Sequence, residues 1–73
     1  MATQIVMDRT GDLRYEFDPQ NANELAKAEK RFMELTGIGF TAAARTTVGE
    51  TIKVSAFDPT ARETLFFPRL VGG

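Results

Sequence analysis

The chain has 73 residues, of which 42% are hydrophobic and 26% are charged, and its formal net charge is -1. This size and composition predict one small globular domain, and the balanced charge excludes a basic surface for nucleic acid or an anionic membrane. The chain has no cysteine and no histidine, and its N-terminus lacks the pattern of a signal peptide. We therefore expect a cytoplasmic, non-membrane protein that is not an enzyme and holds no metal and no cofactor.

Two short runs near the N-terminus predict a β-hairpin. Residues 3–8 are rich in β-prone side chains, and residues 13–17 alternate between apolar and charged side chains, which is typical of a half-buried strand. Between them Gly11 provides the backbone freedom that a tight turn needs. The apolar face of the second strand is expected to consist of Leu13, Tyr15 and Phe17.

A helix is predicted over residues 20–35. Asp18 is a preferred N-cap residue and Pro19 suits the first helical position. Gly37 is placed where a left-handed residue commonly ends a helix. The inward-facing side chains recur at helical spacing and are Leu25, Ala28, Phe32 and Leu35.

Three more strands are predicted after the helix, over residues 40–47, 50–57 and 65–67. The triplet Phe-Asp-Pro occurs at 17–19 and again at 57–59. We interpret both copies as local signals that end a strand and cap a helical turn.

The order of the predicted elements is ββαβββ, an α+β class with one helix packed on a mixed sheet. The last strand would return beside the first in parallel, through a right-handed crossover. This is the β-grasp arrangement of ubiquitin, with residues 1–68 as the domain and residues 69–73 as a flexible C-terminal tail. A ferredoxin-like fold and a simple ββαββ sandwich are the alternatives.

The chain ends in Phe-Phe-Pro-Arg-Leu-Val-Gly-Gly, residues 66–73, shortly after Phe57-Asp58. These motifs resemble the C-terminal segment of the β-grasp sulfur carriers, in particular the small subunit of molybdopterin synthase. The basic Arg69 and the following Leu70 resemble the tail of ubiquitin. The resemblance covers about the last quarter of the chain, and residues 60–63 replace the acidic turn that is usual in the sulfur carriers.

The resemblance implies that an activating enzyme, which itself binds the ATP, adenylates the C-terminal carboxylate of Gly73. Gly72 and Gly73 have no Cβ, so the extended backbone can approach the phosphates closely. Phe66 is either part of an apolar docking patch, by analogy with the family, or a core residue. The segment that the activating enzyme would recognise consists of Arg69, Leu70 and Val71.

The implied function is that of a protein modifier or of a sulfur carrier with a thiocarboxylate at Gly73. Partners after activation would be a conjugating enzyme or a sulfur-accepting synthase subunit. As a modifier, the chain could form polymers through its lysines, although lysines of this kind usually serve solubility: Lys27, Lys30 and Lys53. The alternative function is a small non-catalytic interaction module with an incidental Gly-Gly terminus, which would bind a partner through an edge strand or around Phe66.

Overall fold

The computed structural model describes residues 1–45 and 47–68, which form a five-stranded mixed sheet with one helix on one face. The α+β class is therefore confirmed, and every predicted element is present with slightly different bounds. The elements in chain order are β1 (Ala2–Asp8), β2 (Gly11–Phe17), α1 (Ala22–Gly37), β3 (Phe40–Arg45), β4 (Thr51–Val54) and β5 (Glu63–Pro68).

The strand order in the sheet is β2-β1-β5-β3-β4, so β2 and β4 are the two edges. β1 and β5 are parallel, with Thr3 opposite Glu63 and Val6 opposite Phe66. The other neighbouring strands are antiparallel. The prediction that the last strand returns in parallel beside the first is confirmed, and this order is compatible with a β-grasp fold.

The hairpin between β1 and β2 has a loop of Arg9 and Thr10, closed by the cross-strand pair Asp8 and Gly11. Gly11 has a φ of 130°, which a residue with a Cβ rarely adopts. The prediction that Gly11 provides the unusual backbone angle of this turn is confirmed.

The core lies between α1 and the sheet and has two neighbouring clusters. One contains Val6, Phe32, Ala42 and Phe66, and the other contains Ala2, Phe17 and Ala28. Leu25 and Leu35 pack against these clusters as partly buried side chains. All four predicted inward positions of α1 therefore face the core.

Both predicted caps of α1 are wrong. The N-cap is Asn21, whose Oδ1 accepts from the backbone N–H of Asn23 at 3.0 Å and of Glu24 at 3.1 Å. Asp18 instead accepts from the backbone N–H of Gln20 at 2.9 Å, and this turn delays the helix start.

At the other end, Gly37 is the last helical residue and Ile38 is the C-cap. The positive φ falls on Gly39, at 107°, which leads the chain into β3. Gly37 therefore continues the helix, whereas Gly39, two residues later, provides the positive φ that ends it.

Within the described residues, no helix is both long and apolar enough to cross a membrane.

Candidate functional site

β5 leads to the segment that the sequence marks as functional. It lies between β1 and β3, and its last residue, Pro68, is opposite Phe40. Proline has no backbone N–H to donate, so it suits the point where sheet pairing stops. Pro68, the residue before the segment 69–73, therefore lies at the end of the sheet where β1 finishes and β3 begins.

The predicted tail residues lie outside the described residues. They are Arg69, Leu70, Val71, Gly72 and Gly73. Their assigned roles in activation and recognition stay predictions.

Phe66 belongs to the core. Its side chain is 0% exposed, and its ring centre lies 5.7 Å from that of Phe32 in an edge-to-face contact. Side chains alternate along a strand, so the partly buried neighbours Leu65 and Phe67 lie on the opposite face of the sheet. A docking role for Phe66 is therefore wrong, because a fully buried ring cannot contact a partner, and the core interpretation is confirmed.

The turn before β5 is organised by Asp58. Its Oδ1 accepts from the backbone N–H of Thr60 at 2.9 Å and from the Thr60 hydroxyl at 2.6 Å. These bonds, led by the hydroxyl, hold the pKa of Asp58 below its ordinary value. Asp8 makes the same arrangement with Thr10 in the first hairpin, and its pKa is lowered for the same reason.

The repeated Phe-Asp-Pro triplets form related turns. Asp18 and Asp58 each accept from the backbone N–H two residues on, and the backbone carbonyl of each accepts from the N–H three residues on. The rings of Phe17 and Phe57 also contact each other, with centres 6.2 Å apart. Each copy therefore forms a local turn. The interpretation that both copies end a strand and cap a helical turn is only partly right, because β4 stops at Val54 and the N-cap of α1 is Asn21.

A second surface feature is an open groove between α1 and the edge strand β2, with a volume of about 630 Å³. Leu13 and Tyr15 form its β2 wall, with exposed fractions of 54% and 36%. Only Phe17 is buried on this strand, so the prediction of a half-buried strand whose apolar face is Leu13, Tyr15 and Phe17 holds at Phe17 alone. The helix covers the end of β2 at Phe17 and leaves Leu13 and Tyr15 exposed.

The wall of this groove is fixed by a polar chain of contacts that the sequence patterns do not identify. Gln4 is 0% exposed, and its Nε2 donates to the carbonyl of Ala28 at 2.9 Å. Arg31 Nη1 donates to Gln4 Oε1 at 2.8 Å, and the Arg31 guanidinium lies 4.0 Å from the centre of the Tyr15 ring. The one available signal is that Gln4 shares a strand face with the apolar residues Ala2 and Val6.

Among the residues described, no group of three or more carboxylate, thiol or imidazole side chains is arranged to hold a metal ion. No family model, curated protein or solved structure matches this chain. Function is therefore inferred from the chain's own residues and geometry.

Proposed function

We propose that this chain is a β-grasp, ubiquitin-like protein whose C-terminal carboxylate, on Gly73, is adenylated by an activating enzyme. The observation that carries the proposal is the pair Gly72-Gly73, which follows the Phe-Phe-Pro motif. Gly73 is the fifth residue after Pro68. Further support comes from the strand order and from the parallel pairing of β1 with β5, which are compatible with the β-grasp fold.

In the first step, a carboxylate oxygen of Gly73 attacks the α-phosphorus of ATP bound to the activating enzyme. A bond forms between this oxygen and phosphorus, and the bond to pyrophosphate breaks. The products are the acyl-adenylate of Gly73 and pyrophosphate. Glycine suits this step because it has no Cβ to obstruct the approach of the backbone to the phosphates.

In the second step, a sulfur nucleophile attacks the activated carbonyl and AMP leaves. Sulfide gives a thiocarboxylate on Gly73, which a sulfur-accepting synthase subunit would use. A cysteine thiolate of the activating or conjugating enzyme gives a thioester. An amine on a target then attacks the thioester carbonyl, the C–S bond breaks, an amide forms and the enzyme's cysteine is released. The two functions, sulfur carrier and protein modifier, share the first step.

In this proposal the folded domain presents the C-terminal segment to the activating enzyme and takes no part in the chemical steps. β5 is held between two strands, and the buried ring of Phe66 anchors it against α1 close to its end. Pro68 is the last described residue of β5 and has no backbone N–H to donate to a neighbouring strand. The activating enzyme would recognise Arg69, Leu70 and Val71 as the stalk that carries the reacting glycine.

Exchange of radiolabelled pyrophosphate into ATP tests the first step. The 73-residue chain is incubated with an adenylating enzyme from the same genome. We expect exchange that requires the chain and falls to background when Gly73 is deleted or replaced in Gly73→Val. Val48→Ala is the control, because Val48 is exposed and far from the tail in sequence. Exchange that survives deletion of Gly73, or no exchange with any such enzyme, would overturn the proposal.

A further inference from the structure

The groove between α1 and β2 opens beside the end of β5. Phe40, which lines the groove, is directly opposite Pro68 in the sheet. Val6 is opposite Phe66 in the parallel pair of β1 and β5, so Asp8, two residues further on, lies level with Pro68. Asp8 also lines the groove. The last described residue of β5 therefore lies at one end of this groove, which we call its mouth.

The side chains along the groove change from acidic and apolar near the mouth to basic at the far end. Asp8 and Glu34 place two carboxylates near the mouth. Leu13 and Ile38 add exposed apolar surface, with exposed fractions of 54% and 74%. The basic residues lie about two to three helical turns before Ile38 and are Lys27, Lys30 and Arg31.

The five residues that follow Pro68 have the complementary order of chemistries. Arg69 is basic, Leu70 and Val71 are apolar, and Gly73 carries the C-terminal carboxylate. The acidic mouth suits Arg69, the apolar wall suits the two residues after it, and the basic far end suits the carboxylate. The groove and the tail therefore match in sequence as well as in kind.

The tail is also long enough to span the groove. β5 runs toward the mouth, so the chain must turn back at Arg69 to enter. The four residues after Arg69 extend over at most about 13 Å. Lys30 precedes Ile38 by about 12 Å along the axis of α1. The two lengths match, and the flexible stem of Lys30 lets its ammonium group meet the carboxylate.

The lysines at the far end are available for this contact. Neither Lys27 nor Lys30 forms an ion pair with a described residue. Arg31, in contrast, donates to Gln4 and lies over the ring of Tyr15. The carboxylate is therefore expected to pair with the lysines, while Arg31 holds the groove wall in place.

We propose that the C-terminal tail folds back into this groove and that docking withholds the carboxylate of Gly73 from the activating enzyme. In the docked state the carboxylate lies beside Lys30, and the apolar residues of the tail pack on Leu13 and Ile38. The enzyme binds only the free fraction of tails, so its apparent affinity falls in proportion to that fraction. This inference rests on the proposed function in one respect, namely that Gly73 is the residue that the enzyme activates.

Nuclear Overhauser effects in the full chain test docking without any enzyme. We expect cross-peaks from the methyl groups of Leu70 and Val71 to those of Leu13 and Ile38. A mixture of isotope-labelled and unlabelled copies shows whether the contacts lie within one chain. Cross-peaks that arise only between two copies, or no cross-peak from the tail to the groove, would overturn the proposal.

Two matched variants test the contact between the carboxylate and the helix. Lys30→Glu and Lys53→Glu change exposed residues and shift the net charge equally, but Lys53 lies on β4 at the opposite edge of the sheet. The chemical shift of the Gly73 amide reports the docked fraction. We expect Lys30→Glu to lower the ratio of docked to free tail about two- to fivefold, and Lys53→Glu to leave it unchanged. An equal response to both variants would contradict the proposal.

Pyrophosphate exchange tests whether docking inhibits activation. At chain concentrations below saturation, Lys30→Glu should support faster exchange than the natural chain, because more of its tails are free. An unchanged or slower rate would overturn the inhibitory role. The two proposals fail in different ways: cross-peaks without exchange by any adenylating enzyme reject activation of Gly73, whereas exchange without cross-peaks rejects docking.

Discussion

The side-chain amide of Gln4 donates a hydrogen bond to the main-chain carbonyl of Ala28 across 2.9 Å. This bond joins β1 directly to the middle of α1. Gln4 is fully buried, so its other polar atom also needs a partner, and Arg31 provides it. The position of the helix over the sheet, and with it the width of the groove beside β2, is thus linked to one buried glutamine.

Gln4→Met tests this link with a side chain of similar length that forms neither bond. We expect the free energy of unfolding to fall by about 1–3 kcal/mol, because two hydrogen bonds are lost inside the fold. Urea unfolding of Gln4→Met, Arg31→Met and the double variant gives the coupling between the two side chains. A coupling of about 1.5 kcal/mol is expected, and strictly additive effects would contradict a direct Gln4–Arg31 interaction.

Replacement by alanine is expected to change the free energy of unfolding in opposite directions at Gly37 and at Gly39. Gly37→Ala should raise the free energy of unfolding by about 0.5–1 kcal/mol, because the backbone is helical and nothing lies within 4 Å of an added Cβ. Gly39→Ala should lower it by about 1–3 kcal/mol, because a φ of 107° strains any residue with a Cβ. Thermal and urea unfolding of both variants measure the difference. Equal effects would contradict the observed helix end.

Phe66 and Phe67 are adjacent on β5 but lie on opposite faces. Phe66→Leu should lower the free energy of unfolding by about 1–2 kcal/mol, through lost core packing and the lost contact with the Phe32 ring. Phe67→Leu should lower the free energy of unfolding by less than about half of that amount, because the Phe67 side chain is only partly buried. Leucine keeps both variants folded enough for urea titration. A larger cost at position 67 would contradict the assignment of Phe66 to the core.

The lowered pKa of Asp58 predicts a specific pH dependence of the free energy of unfolding. Its pKa is lowered in the folded chain by the bonds from Thr60, relative to an ordinary value of about 4. The stabilisation is therefore fully present above that value and is lost as the pH falls through the folded-state pKa. Between pH of about 5 and about 2, Asp58→Asn should lose less stability than the natural chain. Asp12→Asn is the control, because the Asp12 carboxylate accepts no hydrogen bond from the described residues. Identical pH profiles for the natural chain and Asp58→Asn would contradict this account.

Local patterns predict most of the sheet. The hairpin follows from alternation and from Gly11, and the parallel pairing of β5 follows from the order of the elements. β3 forms despite three consecutive alanines, all buried, because it pairs with β5 on one side and with β4 on the other. Here the tertiary environment outweighs a weak strand propensity.

Other features depend on which of several possible local contacts forms, or on how α1 packs on the sheet, and the local sequence does not decide either. Asp18 and Asn21 are both good N-caps, and the turn closed by Asp18 leaves the cap to Asn21. The exposure of Leu13 and Tyr15 depends on where α1 crosses the sheet, which the alternation of β2 cannot indicate. For the same reason the groove, and the buried role of Gln4, follow only from the packed structure.

The most direct test of the proposed function is the intact mass of the chain after incubation with ATP, an adenylating enzyme from the same genome and a sulfide source. We expect a mass increase equal to the exchange of one oxygen for sulfur, located at Gly73 by fragmentation, for a sulfur carrier. Covalent attachment of the chain to other proteins through Gly73 is expected for a modifier. An unchanged mass with no enzyme-bound or conjugated form, under conditions in which the enzyme activates a known substrate, would contradict activation of Gly73.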